Sequence, residues 1–262
     1  MSRCALITGA SSGIGYELTK LFAKDGYQLV LVARNGQRLA EVKEELERQF
    51  RVPVKVIAKD LALPQAPDEI FAELRREAMT VDALVNNAGF GTHGPFAVTD
   101  LPAQLEMMQV NMVALTHLTR LFLPGMVERK SGKILNVAST AAFQPGPLMA
   151  VYYATKTYVL SFSEALANEL QGTAVSVTVL CPGPTRTSFQ ERARVGDTPL
   201  MRGRIADAAS VAQAGYRGLM AGKPLLIPGF RNRLLAFSVR LMPRAVVTQI
   251  VRGIQEQRHP RP

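Results

Sequence analysis

Tryptophan is absent from this chain, and there are only two cysteines and three histidines in 262 residues. Two cysteines, Cys4 and Cys181, cannot build a disulfide framework or a zinc site by themselves, and both read as small buried hydrophobes on strands. His93, His117 and His259 fall at no metal-ligand spacing, so no metal is expected. Without tryptophan, no aromatic platform for stacking nucleic-acid bases is visible. No uninterrupted apolar run reaches the ~18 residues that span a bilayer. The apolar stretch from Cys4 to Ile7 is too short for a signal peptide and runs straight into glycines. The expectation is a cytoplasmic protein.

Acidic residues become scarce late in the chain. Residues 1–185 carry 17 Lys and Arg against 17 Asp and Glu, whereas residues 186–262 carry 14 against 4. The whole net charge of +10 therefore sits in the last part. Basic surface there could meet an acidic substrate, an anionic membrane or nucleic acid, or could simply keep the protein soluble. The missing stacking aromatics speak against nucleic acid.

Strand-like and helix-like segments alternate through the rest. Apolar runs at 3–8, 27–33, 54–58, 82–86, 133–138, 174–180 and 224–227 read as strands. Helical patterns lie between them at 13–25, 37–50, 67–79, 103–130, 151–171 and 207–221. The runs are continuous rather than alternating, the mark of strands covered on both faces. The α/β alternation predicts one Rossmann-like, doubly wound parallel sheet of about seven strands, order 3-2-1-4-5-6-7. Residues 1–228 would form this domain, with an integral substrate loop at 186–206. That loop sets Phe189, Val195, Leu200 and Met201 among Arg186, Arg192, Arg194, Arg202 and Arg204. Residues 229–262 would be a basic, partly amphipathic extension packed on the domain. In it Leu234, Leu235, Phe237, Val239, Leu241 and Met242 alternate with Arg231, Arg233 and Arg240, and Pro243 splits it into two short helices.

The first strand ends in Thr8-Gly9-Ala10-Ser11-Ser12-Gly13-Ile14-Gly15. Glycines at a strand-to-helix turn let the backbone approach a diphosphate, and the helix start offers open N–H groups. The spacing Gly-x3-Gly-x-Gly differs from the usual dinucleotide fingerprint. At the end of the second strand, where an acid would bond the ribose hydroxyl of NAD, stand Arg34 and then Arg38. Guanidinium groups suit a 2′-phosphate, so the expected cofactor is NADP(H), although Arg38 could equally be a solvated helix charge. Asp60, ending the third strand, could accept from the adenine amino group or could cap a turn.

Tyr152 and Lys156 are four apart in a helical segment and share one face. An ammonium near a phenol lowers its pKa from about 10 toward the range useful for proton exchange. Transfer of hydride to a carbonyl needs such a proton donor for the developing alkoxide. Tyr153 and Tyr158 have no lysine four residues on. Ser139 follows the fifth strand at the rim where the strands end and could bond the substrate oxygen, or could be a turn serine. Asn111 lies inside the long helix, where asparagine is a poor helix former. Asn86-Asn87-Ala88-Gly89 closes the fourth strand.

Together these motifs resemble the short-chain dehydrogenase/reductases, over essentially residues 3–228. The glycine turn resembles the family's cofactor turn, and Asn86-Asn87-Ala88-Gly89 its motif after the fourth strand. Asn111, Ser139, Tyr152 and Lys156 are similar to its catalytic tetrad in order and spacing. Pro182-Gly183-Pro184-Thr185 resembles the segment at the nicotinamide end. The resemblance implies Tyr152 as general acid/base, Lys156 lowering its pKa and holding the nicotinamide ribose, Ser139 orienting the carbonyl, and Asn111 holding a water that relays protons. It implies a cofactor lined by Gly9, Ser11, Ile14, Arg34, Asp60, Leu61, Asn87, Ala88, Gly89, Pro182, Gly183 and Thr185, with Thr187 on the carboxamide. It also implies a homodimer or homotetramer packed through the helices at 103–130 and 151–171. The expected activity is NADP(H)-dependent oxidoreduction of a small carbonyl or alcohol substrate. Two alternatives stand beside it: a redox sensor that binds NADP(H) without turnover, and a reductase at a membrane surface acting on a lipid-like or acyl thioester substrate.

Overall fold

Strands that are apolar on both faces must be buried between two helix layers, and the computed structural model, which describes residues 3–189, 193 and 205–256, meets that requirement. Its parallel sheet has seven strands: β1 (Cys4–Thr8), β2 (Gln28–Ala33), β3 (Val54–Ala58), β4 (Ala83–Asn86), β5 (Gly132–Val137), β6 (Val175–Leu180) and β9 (Leu225–Leu226). The order β3-β2-β1-β4-β5-β6-β9 is the expected one. Two short strands, β7 (Thr185–Arg186) and β8 (Ala206–Asp207), intervene and pair only with each other. They bracket the substrate loop expected over 186–206. Of that loop, Arg192, Arg194, Val195, Leu200, Met201, Arg202 and Arg204 lie outside the described residues, as does His259.

The helices are α1 (Gly13–Lys24), α2 (Gly36–Phe50), α3 (Ala66–Arg76), α4 (Leu101–Met108), α5 (Leu115–Glu128), α6 (Ala150–Glu169), α7 (Ala208–Met220), α8 (Phe230–Ser238) and α9 (Arg244–Gln255). Successive strand residues feed opposite layers. Leu6, Leu84 and Ile134 pack with Leu118 and Phe122 of α5 on one side. Ile7, Val85 and Leu135 pack with Leu18 and Phe22 of α1 and Leu219 of α7 on the other. Each such side chain contributes about 1.5–3 kcal/mol when fully buried. A buried polar line crosses the middle of the sheet: Asn86 Nδ2 donates to Thr119 Oγ1 at 3.0 Å and to Asn136 Oδ1 at 2.9 Å. Asn136 Nδ2 in turn donates to Ser163 Oγ at 2.9 Å. Buried amides are costly unless bonded, so this line fixes β4 and β5 against α5 and α6.

One expected helix is not regular. The run predicted over 103–130 starts at Leu101, ends at Glu128, and is broken by a π-helical turn at Gln109–Ala114. Asn111 sits in that turn, and its side-chain amide bonds Phe90 and Thr155 elsewhere in the chain. By length and composition Leu101–Glu128 would suffice to cross a membrane, but Met107, Leu118, Phe122 and Met126 are spent in the core.

Pro243 divides the C-terminal extension between α8 and α9. Val247 and Val251 of α9 pack on Ala141, Met149 and Tyr153.

Candidate active site

The rim where the strands end opens into a cleft of about 490 Å³. Its floor begins at the glycine turn. Thr8 Oγ1 donates to the Val85 carbonyl and accepts from the N–H groups of Asn87 and Ala88 at 3.0 Å each. Asn87 Nδ2 donates to the carbonyls of Thr8 at 2.9 Å and Gly9 at 3.2 Å. The turn after β1 is thus tied to the end of β4. Gly9 has φ +65°, and a Cβ there would stand 2.7 Å from Asn87 Nδ2. A Cβ at Gly15 would overlap the Gly9 carbonyl and the Asn87 amide. Gly15 does not line the cleft; its role is to let α1 sit directly on the turn. Gly9, Ser11, Ser12, Gly13 and Ile14 do line it. Ser12 caps α1 in extended conformation without a side-chain cap bond, leaving the first N–H groups open to an anion. Above them, Ser188 Oγ is 3.1 Å from Ser12 Oγ, so the segment after β6 lies over the turn.

Arg34 also lines the cleft, half-exposed, with Nη1 3.5 Å from Glu106 Oε1. Arg38 departs from expectation. Its guanidinium donates to Glu41 at 2.8 Å and lies over the Tyr16 ring, and it does not reach the cleft. Its place in the first turn of α2 sets it along that helix, so of these two arginines only Arg34 lines the cleft. Asp60 both lines the cleft and caps the turn after β3, accepting from Ala62 N–H at 3.0 Å. Leu61, Asn87, Ala88, Gly89, Pro182, Gly183, Thr185 and Thr187 line the cleft.

The chemical groups meet at the other end. Tyr152 lies in the first turn of α6, with Lys156 one turn further on. Ser139 follows β5; its Oγ accepts from Ala141 N–H at 3.1 Å, so it is a turn serine as well as a cleft residue. Burial pushes the Tyr152 phenol above its usual pKa, and a hydrogen bond with Ser139 offsets part of that rise. Lys156 is 5% exposed, and its Nζ donates to the Val137 carbonyl at 2.9 Å, 5.8 Å from the Tyr152 ring centre. Burial brings its ammonium down to about 8. In the ligand-free protein, burial of the phenol outweighs the lowering by Ser139. The phenol keeps its proton at neutral pH and is ready to donate it. Asn111 stands behind the cleft. Its Oδ1 accepts from Phe90 N–H at 3.1 Å, and its Nδ2 donates to the Phe90 carbonyl and to Thr155 Oγ1 at 3.0 Å each. A Cβ on Gly89 would lie 3.0 Å from Asn111 Oδ1 and 3.4 Å from Lys156 Nζ, so that glycine leaves the two polar groups flanking one small space.

The lysine yields a pH prediction. A lysine with a depressed folded pKa binds fewer protons in the native than in the unfolded state between about 8 and its unfolded value of about 10.4. Stability therefore rises with pH across that window, and the desolvation penalty is present in full below it. The ligand-free protein is expected to gain thermal stability relative to Lys156→Met as pH rises from 8 to 10. A stability difference that is flat with pH contradicts the buried ammonium.

Several further residues, Phe189 of the expected substrate loop among them, complete the cleft. Phe189 tilts over Tyr152 with ring centres 5.2 Å apart, and Phe90 and Met149 add apolar wall. Tyr153 turns to α9, where Gln255 Nε2 donates to its hydroxyl at 2.7 Å. Gln255 is fully buried and lines the cleft, and its backbone carbonyl meets His93 Nε2 at 2.8 Å. Some hundred residues separate Gln255 from Tyr153, so only tertiary packing unites them. His117 lies elsewhere, 3.2 Å from Asp68.

The family profile described as short chain dehydrogenase matches residues 3–197. A very-long-chain 3-oxoacyl-CoA reductase of Bos taurus is 36% identical over 182 residues, covering 68% of this chain and 58% of that protein. The chain thus spans less than two thirds of that relative's length. An uncharacterized oxidoreductase of Staphylococcus epidermidis is 32% identical over 211 residues, covering 80% of this chain and 90% of that one. Among solved structures, a short-chain dehydrogenase from Sphingobium yanoikuyae in complex with NADPH superposes with a TM-score of 0.82 at 31% identity, covering 91% of this chain and 93% of that one.

Proposed function

Because the chain belongs to the short chain dehydrogenase family, we propose that it is an NADP(H)-dependent oxidoreductase acting on a carbonyl or alcohol carbon. The observation that carries this reading is the convergence of Tyr152, Ser139 and Lys156 on one cleft, with Lys156 one helical turn on from Tyr152. The site fits the cofactor: a Cβ-intolerant glycine cradle, open N–H groups at α1, and the Arg34 guanidinium at the end of β2. Gly9, Ser11, Ser12, Gly13 and Ile14 would hold the diphosphate, Arg34 the 2′-phosphate, and Pro182, Gly183, Thr185 and Thr187 the nicotinamide end. When bound, NADP(H) supplies or takes up the hydride.

The chain's own groups handle the oxygen and its proton. Ser139 orients the carbonyl oxygen, and Tyr152 gives that oxygen its proton during reduction and takes it back during oxidation. Lys156 holds positive charge beside the developing alkoxide and phenolate, and Asn111 keeps the backbone at Phe90 and the Lys156 side of Gly89 in place. Phe189, over the Tyr152 ring, excludes water from the proton transfer. A sensor without turnover would have no use for this constellation.

The second reading concerns the substrate. The curated relatives named as 3-oxoacyl-CoA reductases, together with the apolar wall of Phe90, Met149 and Phe189, favour a lipid-like acyl thioester. We assign the protein to the cytoplasm, whose reducing poise suits the two buried free thiols. Exposed Leu105 of α4, Val113 of the π turn and Tyr158 of α6 favour a second copy packing there as a homo-oligomer. Purified protein is expected to oxidise NADPH with some member of a panel of aldehydes, ketones and 3-oxoacyl thioesters, followed at the nicotinamide absorbance. NADPH binding without turnover of any member returns the sensor reading.

A further inference from the structure

The extension beyond the sheet presents apolar surface that nothing in the chain covers among the described residues. Phe230, Leu234, Leu235 and Phe237 of α8 and Leu241 after it are all exposed, Phe230 by 79% and Leu241 by 73%. Helix α9 is apolar on two sides. Val247 and Val251 face the domain, while Val246, Ile250 and Ile254 face outward at four-residue spacing. A soluble monomer seldom exposes so many large apolar side chains together.

Charge identifies the occupant. Arg231, Arg233, Arg240, Arg244 and Arg252 are exposed in the same two helices and their link, against one acid, Glu256, which pairs with Arg252 at 2.8 Å. An isologous contact between two copies would set this arginine-rich face against itself. Exposed apolar side chains among arginines that outnumber acids instead match the headgroup region of an anionic bilayer. We infer that α8 and α9 form a membrane-docking face for anionic lipid. The face adjoins the substrate end of the cleft, because Gln255 at the end of α9 lines that cleft. This placement rests on the lipid-like substrate reading and deepens it: a bilayer held by the outer side of α9 would hold its acyl chains near the mouth beside Tyr152.

The test uses the full chain with NADPH and two kinds of vesicle, neutral phosphatidylcholine and the same lipid with phosphatidylglycerol. Co-sedimentation is expected with the anionic vesicles only, and it should weaken with salt. Replacing Arg231, Arg240 and Arg244 together by Gln should weaken binding on the order of a hundredfold, at about fivefold per arginine. Replacing Leu234, Phe237 and Leu241 by Ser should also release the protein. These side chains are exposed, so unchanged thermal melting and unchanged NADPH oxidation with a water-soluble carbonyl are expected of both variants. Binding that is absent, equal on neutral vesicles, or untouched by the substitutions overturns the docking face. So does a change of oligomeric state in the Ser variant without lipid, which would assign the face to a second copy. Turnover of the soluble carbonyl is measured separately, so failure of the oxidoreductase reading is told apart from failure of docking.

Discussion

Tyr152→Phe is expected to lower kcat for carbonyl reduction about a thousandfold, within the range of about 10² to 10⁴ for loss of a positioned proton donor. The substitution removes one oxygen and leaves the ring, so the contacts with Phe189 and Tyr153 survive. NADPH affinity should change little and melting temperature by no more than a few degrees. A thousandfold loss corresponds to about 4 kcal/mol of transition-state stabilisation, far more than the phenol can contribute to folding at a half-buried position beside Ser139. Retention of kcat within tenfold would show that the proton comes from elsewhere. Stopped-flow turnover with saturating NADPH, with melting curves on the same samples, separates the outcomes. Ser139→Ala should fall in the same direction by less, since it removes the group that lowers the phenol's pKa but not the proton itself.

Arg34→Asp is expected to weaken NADPH about a hundredfold while leaving NADH unchanged or bound more tightly. A charge-assisted bond to a phosphate contributes about 1.5–3 kcal/mol, and a carboxylate in its place adds repulsion. Stability should barely move: the contact with Glu106 at 3.5 Å is half-exposed, and such pairs contribute about 0–1 kcal/mol. Arg38→Asp is the matched control, because its guanidinium is engaged with Glu41 and Tyr16 away from the cleft and its loss should change NADPH binding far less. Titrations of both variants with both cofactors, at two salt concentrations, check the pair. Equal effects on NADPH and NADH at Arg34 would remove it from 2′-phosphate recognition.

These two arginines mark the limit of what spacing can say. Both follow β2, and the residue string treats them alike. Only the phase of α2, which places Arg38 over Tyr16, separates the arginine that lines the cleft from a surface charge. The tyrosines are similar. Tyr152 was legible from the lysine four residues on, whereas the partnership of Tyr153 with Gln255 has no local trace. The pKa logic also changed in three dimensions. Spacing puts an ammonium near a phenol, but shows neither the Val137 carbonyl that accepts its hydrogen bond nor the burial that raises the phenol and lowers the ammonium.

The amino-acid order alone determined the sheet, its strand order and the rim where the motif residues gather. Those follow from local regularities: apolar runs of strand length, helical periodicity, glycines where a chain must turn without a Cβ, and the right-handed crossover that leaves one topology. Tertiary structure alone decided which side chains share the cleft, how far burial shifts Tyr152 and Lys156, and which face of the C-terminal helices is left uncovered. These depend on contacts between residues far apart in the chain and on the removal of water around them, and no window of neighbouring residues contains either quantity.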